Sequence, residues 1–128
     1  MRYLAVFTVL VVSTTNSSAF IAGDAAAGKV AYETRCGSCH AVNENRVGPM
    51  HADIVGRPVA ALTSYVYSPA LSKLGGFWSS CRLDIWLQDP QAMAPGTTMP
   101  RVPTTADERR DIITYLATVS EIRSLECP

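Results

Sequence analysis

The feature that most constrains this chain is the pentapeptide Cys36-Gly37-Ser38-Cys39-His40. A Cys-x-x-Cys pair alone is also found in disulfide exchange and in zinc sites. A histidine directly after the second cysteine is typical of c-type haem attachment. In such a site each thiol forms a thioether with a haem vinyl group, and the imidazole binds the iron from one side. The pentapeptide therefore predicts one haem c, covalently bound through Cys36 and Cys39, with His40 as the first iron ligand.

Residues 1–19 have the organisation of a secretory signal peptide. Arg2 precedes an apolar run that ends at Val12, and small, mostly polar residues follow up to Ala19. The apolar run is about half as long as the roughly twenty residues that a membrane-spanning helix needs. We therefore expect cleavage after Ala19, export to the periplasm and no stable membrane insertion. The alternative is that the segment is kept as an uncleaved anchor.

Residues 20–128 are enough for one small domain. A core of this size is marginal, and a covalent haem would supply a large apolar centre for it. The 11 Lys and Arg residues of the chain balance 11 Asp and Glu residues, so no basic surface for nucleic acid is expected. We expect a monomer.

Three segments carry helix signals, and Gly- and Pro-rich stretches at 41–69 and 93–103 separate them as loops. The first helix leads into the haem motif, the second ends at Asp89-Pro90, and Glu108 completes a capping box for the third. The candidate N-caps are Asp24, Ser79 or Ser80, and Thr105. Because no alternating β pattern appears, the sequence predicts an all-α domain of three main helices with long loops.

The iron needs a second ligand or an open site, and the candidates are Met50, His51, Met93 and Met99. Met99 follows Pro95-Gly96-Thr97-Thr98 and precedes Pro100, so its loop is stiff and long enough to cross the second face of the haem. Met50 and Met93 are interpreted as core filler. A thioether favours ferrous iron, so His/Met ligation predicts a positive reduction potential.

From Gly23 to about Val119 the chain resembles a class I cytochrome c of the soluble mitochondrial and α-proteobacterial type. The resemblance is carried by Gly23-Asp24 and Gly28, Val47-Gly48-Pro49, Gly56-Arg57, Leu87-Gln88-Asp89-Pro90 and Pro95-Gly96-Thr97-Thr98-Met99. It implies the cytochrome c fold, with three main helices and long loops wrapped around one covalent haem. It also implies that Gly28 and Tyr32 meet Ile112 and Tyr115 where the first and last helices cross.

The resemblance further implies roles around the haem. The Pro49 carbonyl would accept the second ring N–H of His40, and Arg57 would lie near a propionate. Aromatic side chains would donate to propionates or form the haem wall. The expected cofactor-binding residues are Cys36, Cys39, His40, Pro49, Arg57, Tyr65, Tyr67, Trp78 and Met99, with His40 and Met99 as iron ligands and no catalytic residue.

The chain departs from the family at several points. Trp86 stands where relatives usually carry a tyrosine that reaches the methionine sulfur, and an indole can keep the packing while losing that hydrogen bond. His51 replaces a buried leucine and is expected to face solvent or to have a polar partner. Thr98 stands where relatives often carry lysine. With only Lys29 and Lys73 in the chain, the lysine ring through which mitochondrial members dock cannot form.

Two further cysteines, Cys81 and Cys127, lie outside the haem motif. The resembling fold brings the start of the helix after Trp78 near the end of the last helix. In an exported protein a spare pair usually bridges, so we expect a Cys81–Cys127 disulfide. Two free thiols or an intermolecular link are the alternatives.

The function expected from these observations is one-electron transfer and not enzymatic catalysis. The partners would be a cytochrome bc-type complex, a terminal oxidase, a reaction centre or a periplasmic dehydrogenase. One alternative is a haem enzyme or gas sensor with an open or labile sixth iron site. Another is a thiol oxidoreductase using Cys36 and Cys39, which would leave His40 unexplained.

Overall fold

The computed structural model describes residues 20–122 and Cys127, and within them the fold is helical. The helices are α1 (Ala25–Arg35), α2 (Pro69–Leu74), α3 (Ser80–Gln88), α4 (Pro90–Met93) and α5 (Ala106–Thr118). In this part of the chain the only β pairing is an isolated bridge between Pro58 and Phe77. None of these helices has the length and apolar character needed to cross a bilayer. The all-α prediction is confirmed, and α1, α3 and α5 are the three main helices. The predicted signal peptide lies outside the described residues.

The three main helices begin where local capping chemistry predicts. The Asp24 carboxylate accepts hydrogen bonds from the first turn of α1. Of the two candidate caps for α3, Ser79 is the one used, and its hydroxyl accepts from the Arg82 N–H at 3.2 Å. Thr105 and Glu108 form the predicted reciprocal capping box at the start of α5. These bonds satisfy N–H groups that would otherwise have no partner.

Two short helices lie in segments that the sequence analysis did not assign to helices. Ser68 caps α2, and Asp89 caps α4 while its own N–H ends α3 on the Ile85 carbonyl. Each short helix has proline in its first turn, where the missing N–H costs nothing. Asp89-Pro90 therefore ends α3 as predicted, but it also starts α4. The predicted loop at 93–103 begins later than expected, since Met93 is helical.

The first and last helices cross closely at Gly28. A Cβ atom at Gly28 would overlap the backbone carbonyl of Asp111 and lie 3.0 Å from the Cβ of Tyr115. One turn further along α1, the Tyr32 ring lies 5.4 Å from the Tyr115 ring, measured between centroids. The predicted crossing is therefore present. Gly28 lies against the Asp111 backbone and Tyr115, and Ile112, the next residue of α5, is fully buried in the core.

The hydrophobic core lies where α1, α3 and α5 meet the loop at 54–55, and one side of it faces a cavity. Its buried apolar members are Tyr32, Ile54, Val55, Trp78, Leu83, Trp86, Ala94, Ile112, Ile113, Leu116 and Ala117. Cys81 and Cys127 form the predicted disulfide, with a Cα–Cα distance of 5.3 Å. It joins the start of α3 to the chain beyond α5.

Candidate functional site

A cavity of about 350 Å³ lies between the end of α1, α3 and the loops that follow the pentapeptide and precede α5. Its walls are mainly apolar and aromatic. All nine of the predicted site residues line it, namely Cys36, Cys39, His40, Pro49, Arg57, Tyr65, Tyr67, Trp78 and Met99. The fold thus brings the pentapeptide and the methionine loop, which are distant in sequence, to the walls of one cavity.

The pentapeptide folds as a turn that continues from the end of α1. The N–H of Cys36 donates to the Tyr32 carbonyl, and the N–H of His40 donates to the Cys36 carbonyl, both at 2.8 Å. Both thiols are free and half-buried. Burial, with a smaller contribution from Cys39, raises the pKa of the Cys36 thiol to about 11. Because the thiolate is the form that attacks in disulfide exchange, this burial keeps Cys36 in the less reactive thiol form.

One nitrogen of the His40 imidazole is bound to a backbone carbonyl, and the other nitrogen is left for a ligand. Its Nδ1 lies 2.8 Å from the Pro49 carbonyl oxygen, the contact that the family resemblance implied. A Cβ atom at Gly48 would overlap the ring, so this close fit requires glycine there. Burial lowers the pKa of His40, which favours the neutral imidazole. With Nδ1–H donating to Pro49, Nε2 keeps its lone pair and is free to bind a metal.

The Met99 sulfur is also fixed by a hydrogen bond. The indole Nε1 of Trp86 lies 3.1 Å from Met99 Sδ and donates to it. The expectation that tryptophan at this position loses the hydrogen bond is therefore wrong. The Trp86 side chain, which is 5% exposed, extends from α3 far enough to place its N–H at the sulfur.

Gln91 holds the loop that carries Met99, a role that the sequence analysis missed. Its amide nitrogen donates to the Thr97 carbonyl at 2.7 Å, and its amide oxygen accepts from the Gly96 N–H at 3.2 Å. The residue type was visible in the sequence, because a glutamine four residues before Pro95-Gly96 can both donate and accept hydrogen bonds. Its orientation depends on α4, which the sequence analysis did not predict.

The remaining predicted residues form the cavity wall. Arg57 is half-buried and donates to the carbonyls of Met50 and Ala52 at 3.0 and 2.9 Å. The Tyr65 hydroxyl donates to the Val47 carbonyl at 2.7 Å, so this donor already has a protein partner. Tyr67 packs edge-on against Tyr65, with 5.0 Å between ring centroids, and burial raises the pKa of its phenol. Trp78 is 5% exposed and packs edge-on against Trp86.

His51 also lines the cavity, next to His40. Its ring stacks on that of His40, with centroids 4.1 Å apart and an interplanar angle of 19°. Its Nδ1 lies 3.1 Å from the hydroxyl of Tyr32. Of the two expectations for His51, exposure to solvent is therefore wrong and the polar partner is correct. The sequence did not indicate that this side chain contacts His40.

The chemistry of these donors fits a c-type haem. Two thiols, a neutral imidazole and a thioether face one largely apolar cavity, and soft sulfur with imidazole is the ligand set of electron-transfer haems. The Thr104 hydroxyl lines the same cavity and is buried, with no hydrogen-bond partner among the described residues. A polar edge of a bound group would satisfy it.

Comparison with known proteins identifies the family. The cytochrome c family matches residues 25–120. The chain belongs to the cytochrome c family, as a class I c-type cytochrome. Membership implies haem c attached through cysteines, for which Cys36 and Cys39 are present.

Individual relatives agree with this assignment. A cytochrome c-type cyt cy of Rhodobacter capsulatus is 40% identical over 104 residues, which are 79% of this chain and 52% of that protein. The chain therefore spans about half the length of that relative. A cytochrome c2 of Rhodomicrobium vannielii is 34% identical over 107 residues, covering 80% and 85% of the two chains. The solved structure of cytochrome cH from Methylobacterium extorquens has a TM-score of 0.70 and 39% identity, over 75% of this chain and 99% of that one.

Proposed function

We propose that this protein is a periplasmic one-electron carrier with one haem and His/Met iron ligation. Cys36 and Cys39 would hold the haem as thioethers, and His40 Nε2 and Met99 Sδ would be the axial ligands. Pro49, Arg57, Tyr65, Tyr67 and Trp78 would support the haem from the cavity wall.

The observation that carries the proposal is the hydrogen bond from Trp86 to the Met99 sulfur at 3.1 Å. An unconstrained methionine is flexible and usually serves as core filler. Here the sulfur is held by Trp86 and the loop backbone by Gln91, on the wall of the cavity that also contains His40. Fixing both candidate ligands in advance lowers the entropic cost of ligation, which supports a closed six-coordinate site.

When bound, the haem supplies the reversible one-electron couple of its iron. The protein's own residues would hold the groups around the iron in the same positions in both oxidation states. Pro49 holds the His40 ring, Trp86 holds the Met99 sulfur, and the apolar wall excludes water. Rigid surroundings require little rearrangement when the charge changes by one, and the thioether with a largely apolar wall favours a positive potential.

The cavity offers little for catalysis. Among the described residues that line it there is no carboxylate, and its two histidines are His40 and the His51 stacked on it. General acid–base work on a substrate at the Met99 side would need a titratable group there. A non-enzymatic role is therefore favoured over a haem enzyme.

The proposed cellular location is based on features of the sequence. We propose that residues 1–19 are a signal peptide, that residues 20–128 form the cytochrome c domain, and that the protein acts in the periplasm as a monomer. The electron donors and acceptors would be drawn from cytochrome bc-type complexes, oxidases, reaction centres and dehydrogenases. With two lysines in the chain, docking would depend less on a ring of positive charge than it does in the mitochondrial members.

The ligation is tested by replacing each of two methionines in turn. Met99→Ala should abolish the far-red sulfur-to-iron charge-transfer band of the ferric protein and make the ferrous protein bind carbon monoxide. Met93→Ala is the matched control, because Met93 is partly buried but does not line the cavity. It should leave both properties unchanged. A far-red band that survives Met99→Ala would show that another group ligates the iron.

A further inference from the structure

The His51 ring and its neighbours form a continuous contact path to His40. The His51 ring stacks on His40 at 4.1 Å, nearly parallel, and its Nδ1 lies 3.1 Å from the Tyr32 hydroxyl. Backbone hydrogen bonds to Ala41 and from Ile54, at 3.0 and 3.1 Å, fix the main chain at His51 on both sides. The His51 ring is therefore held in place by its own main chain and by the contact of its Nδ1 with the Tyr32 hydroxyl.

The far end of this path is rigid. Tyr32 is 4% exposed, lies in the last turn and a half of α1 and packs against Tyr115 of α5. The approach of these helices at Gly28 leaves no room for a Cβ atom, so their relative position is tightly defined. The Tyr32 hydroxyl is thus a fixed hydrogen-bond partner for the His51 ring, because Tyr32 belongs to the closely packed pair of helices α1 and α5.

A second support is needed because the bond to Pro49 does not define the plane of the His40 ring. One N–H to carbonyl hydrogen bond fixes a direction but leaves rotation of the ring about that direction soft, since the angular preference at a carbonyl oxygen is broad. A flat ring packed parallel to the imidazole opposes that rotation through many small dispersion contacts. A leucine could fill the same volume, but it offers neither a flat face nor a hydrogen-bond partner for Tyr32.

We propose that His51 is a positioning residue that sets the plane of the His40 imidazole, with the Tyr32 hydroxyl holding His51 in place. The inference rests on the proposed role of His40 as an axial ligand. The plane of an axial imidazole, together with the orientation of the other axial ligand, determines how unpaired spin is shared among the pyrroles of a ferric haem. His51 would therefore act on the electronic structure of the haem without touching the iron.

Proton NMR of the ferric holoprotein tests this, because the four haem methyl shifts report the spin distribution. His51→Leu, which fills the space without a flat face, should change the order of these shifts. His51→Phe keeps the flat ring but loses the hydrogen bond to Tyr32, so it should retain the order of the shifts and move them only as far as Tyr32→Phe does. Tyr32→Phe keeps the packing but removes the hydroxyl, and should move the shifts in the direction of His51→Leu by a smaller amount. Tyr115→Phe is the matched control and should change nothing, since its hydroxyl does not contact His51.

The outcome that overturns the proposal is an unchanged methyl pattern in both His51→Leu and Tyr32→Phe, which would make His51 a packing residue only. If His51→Leu does not fold, Tyr32→Phe against Tyr115→Phe decides alone. Failure of the underlying function would be seen differently, as a wild-type optical spectrum without low-spin haem or with a far-red band that survives Met99→Ala. The methyl pattern of the variants bears only on His51.

Discussion

Trp86 donates a hydrogen bond from its indole Nε1 to the sulfur of Met99, over 3.1 Å. The donor lies on α3 and the acceptor on the loop before α5, so the contact joins two parts of the cavity wall. A hydrogen bond to a thioether withdraws electron density from the sulfur. The sulfur then stabilises ferric iron less, so this bond should raise the reduction potential.

Trp86→Phe should therefore lower the potential. A hydrogen bond is worth about 0.5–1.5 kcal/mol, and a tenfold change in a one-electron equilibrium is about 59 mV. Because only the difference in bond strength between the two oxidation states changes the potential, the expected decrease is at most roughly 20–60 mV. Protein-film voltammetry measures it, with retention of the far-red band showing that Met99 is still bound. Trp86→Tyr, which returns a donor, is the control and should recover part of the decrease. An unchanged potential in Trp86→Phe would contradict the role given to the indole.

Gly28→Ala should destabilise the holoprotein although alanine is the better helix former. Helix propensity alone favours the substitution by about 1 kcal/mol. A Cβ atom at Gly28 would, however, overlap the Asp111 carbonyl, and overpacking at such a contact costs roughly 1–3 kcal/mol. Guanidinium unfolding at neutral pH measures the sign of the change in the free energy of unfolding. Ala26→Gly, on an exposed position of the same helix, is the control and should cost only the propensity difference. A more stable Gly28→Ala would show that α1 and α5 do not approach this closely.

Glu108 should stabilise the fold in a pH-dependent way. Its carboxylate accepts from the Thr105 N–H and pairs with Arg35 at 3.0 Å, and these contacts lower the pKa of Glu108 below its usual 4.5. A lowered folded-state pKa contributes stability that is present above the unfolded-state pKa and is lost as the pH falls through the folded-state value. Glu108→Gln should therefore destabilise the protein at neutral pH, with a difference from wild type that shrinks as the pH is lowered below about 4.5. Urea unfolding across this range measures the difference, and one that stays constant with pH would exclude the carboxylate charge as its cause.

Lysine should not displace Met99 at high pH. Thr98 precedes the methionine, and the chain's two lysines are Lys29, paired with Glu33 on α1, and Lys73 on α2. The far-red band should therefore persist through mildly alkaline pH in the wild type. Thr98→Lys places an amine beside the sulfur and should lower the pH at which the band is lost. An early, lysine-like ligand exchange in the wild type would contradict this, and its loss in Lys73→Ala would identify Lys73 as the source.

The features that the sequence predicted correctly depend on residues that lie close together in the chain. The haem pentapeptide, the Asp24 cap and the Thr105–Glu108 capping box each depend on residues within one turn of one another. The missed helices α2 and α4 also carry local signals, Ser68-Pro69 and Asp89-Pro90. The prediction used Asp89-Pro90 only as the end of α3 and placed Ser68-Pro69 in the loop at 41–69, since both short helices lack the length to show a helical period.

The contacts that depend on tertiary packing could not be predicted in this way. Whether the indole of Trp86 reaches Met99, and whether His51 turns inward to His40, depend on the relative placement of α3 and the loops. Gln91 contacts the methionine loop only because α4 orients it. The side-chain types were visible in the sequence, but their directions in space were not.

The most direct test of the carrier function is a redox titration of the exported, purified protein, followed optically with and without carbon monoxide. The proposed closed His40/Met99 site predicts a single one-electron wave at positive potential, a low-spin spectrum in both oxidation states, and a ferrous spectrum that carbon monoxide leaves unchanged. Rapid carbon monoxide binding to the ferrous protein, or a high-spin ferric spectrum, would contradict it and indicate an open sixth site suited to catalysis or sensing.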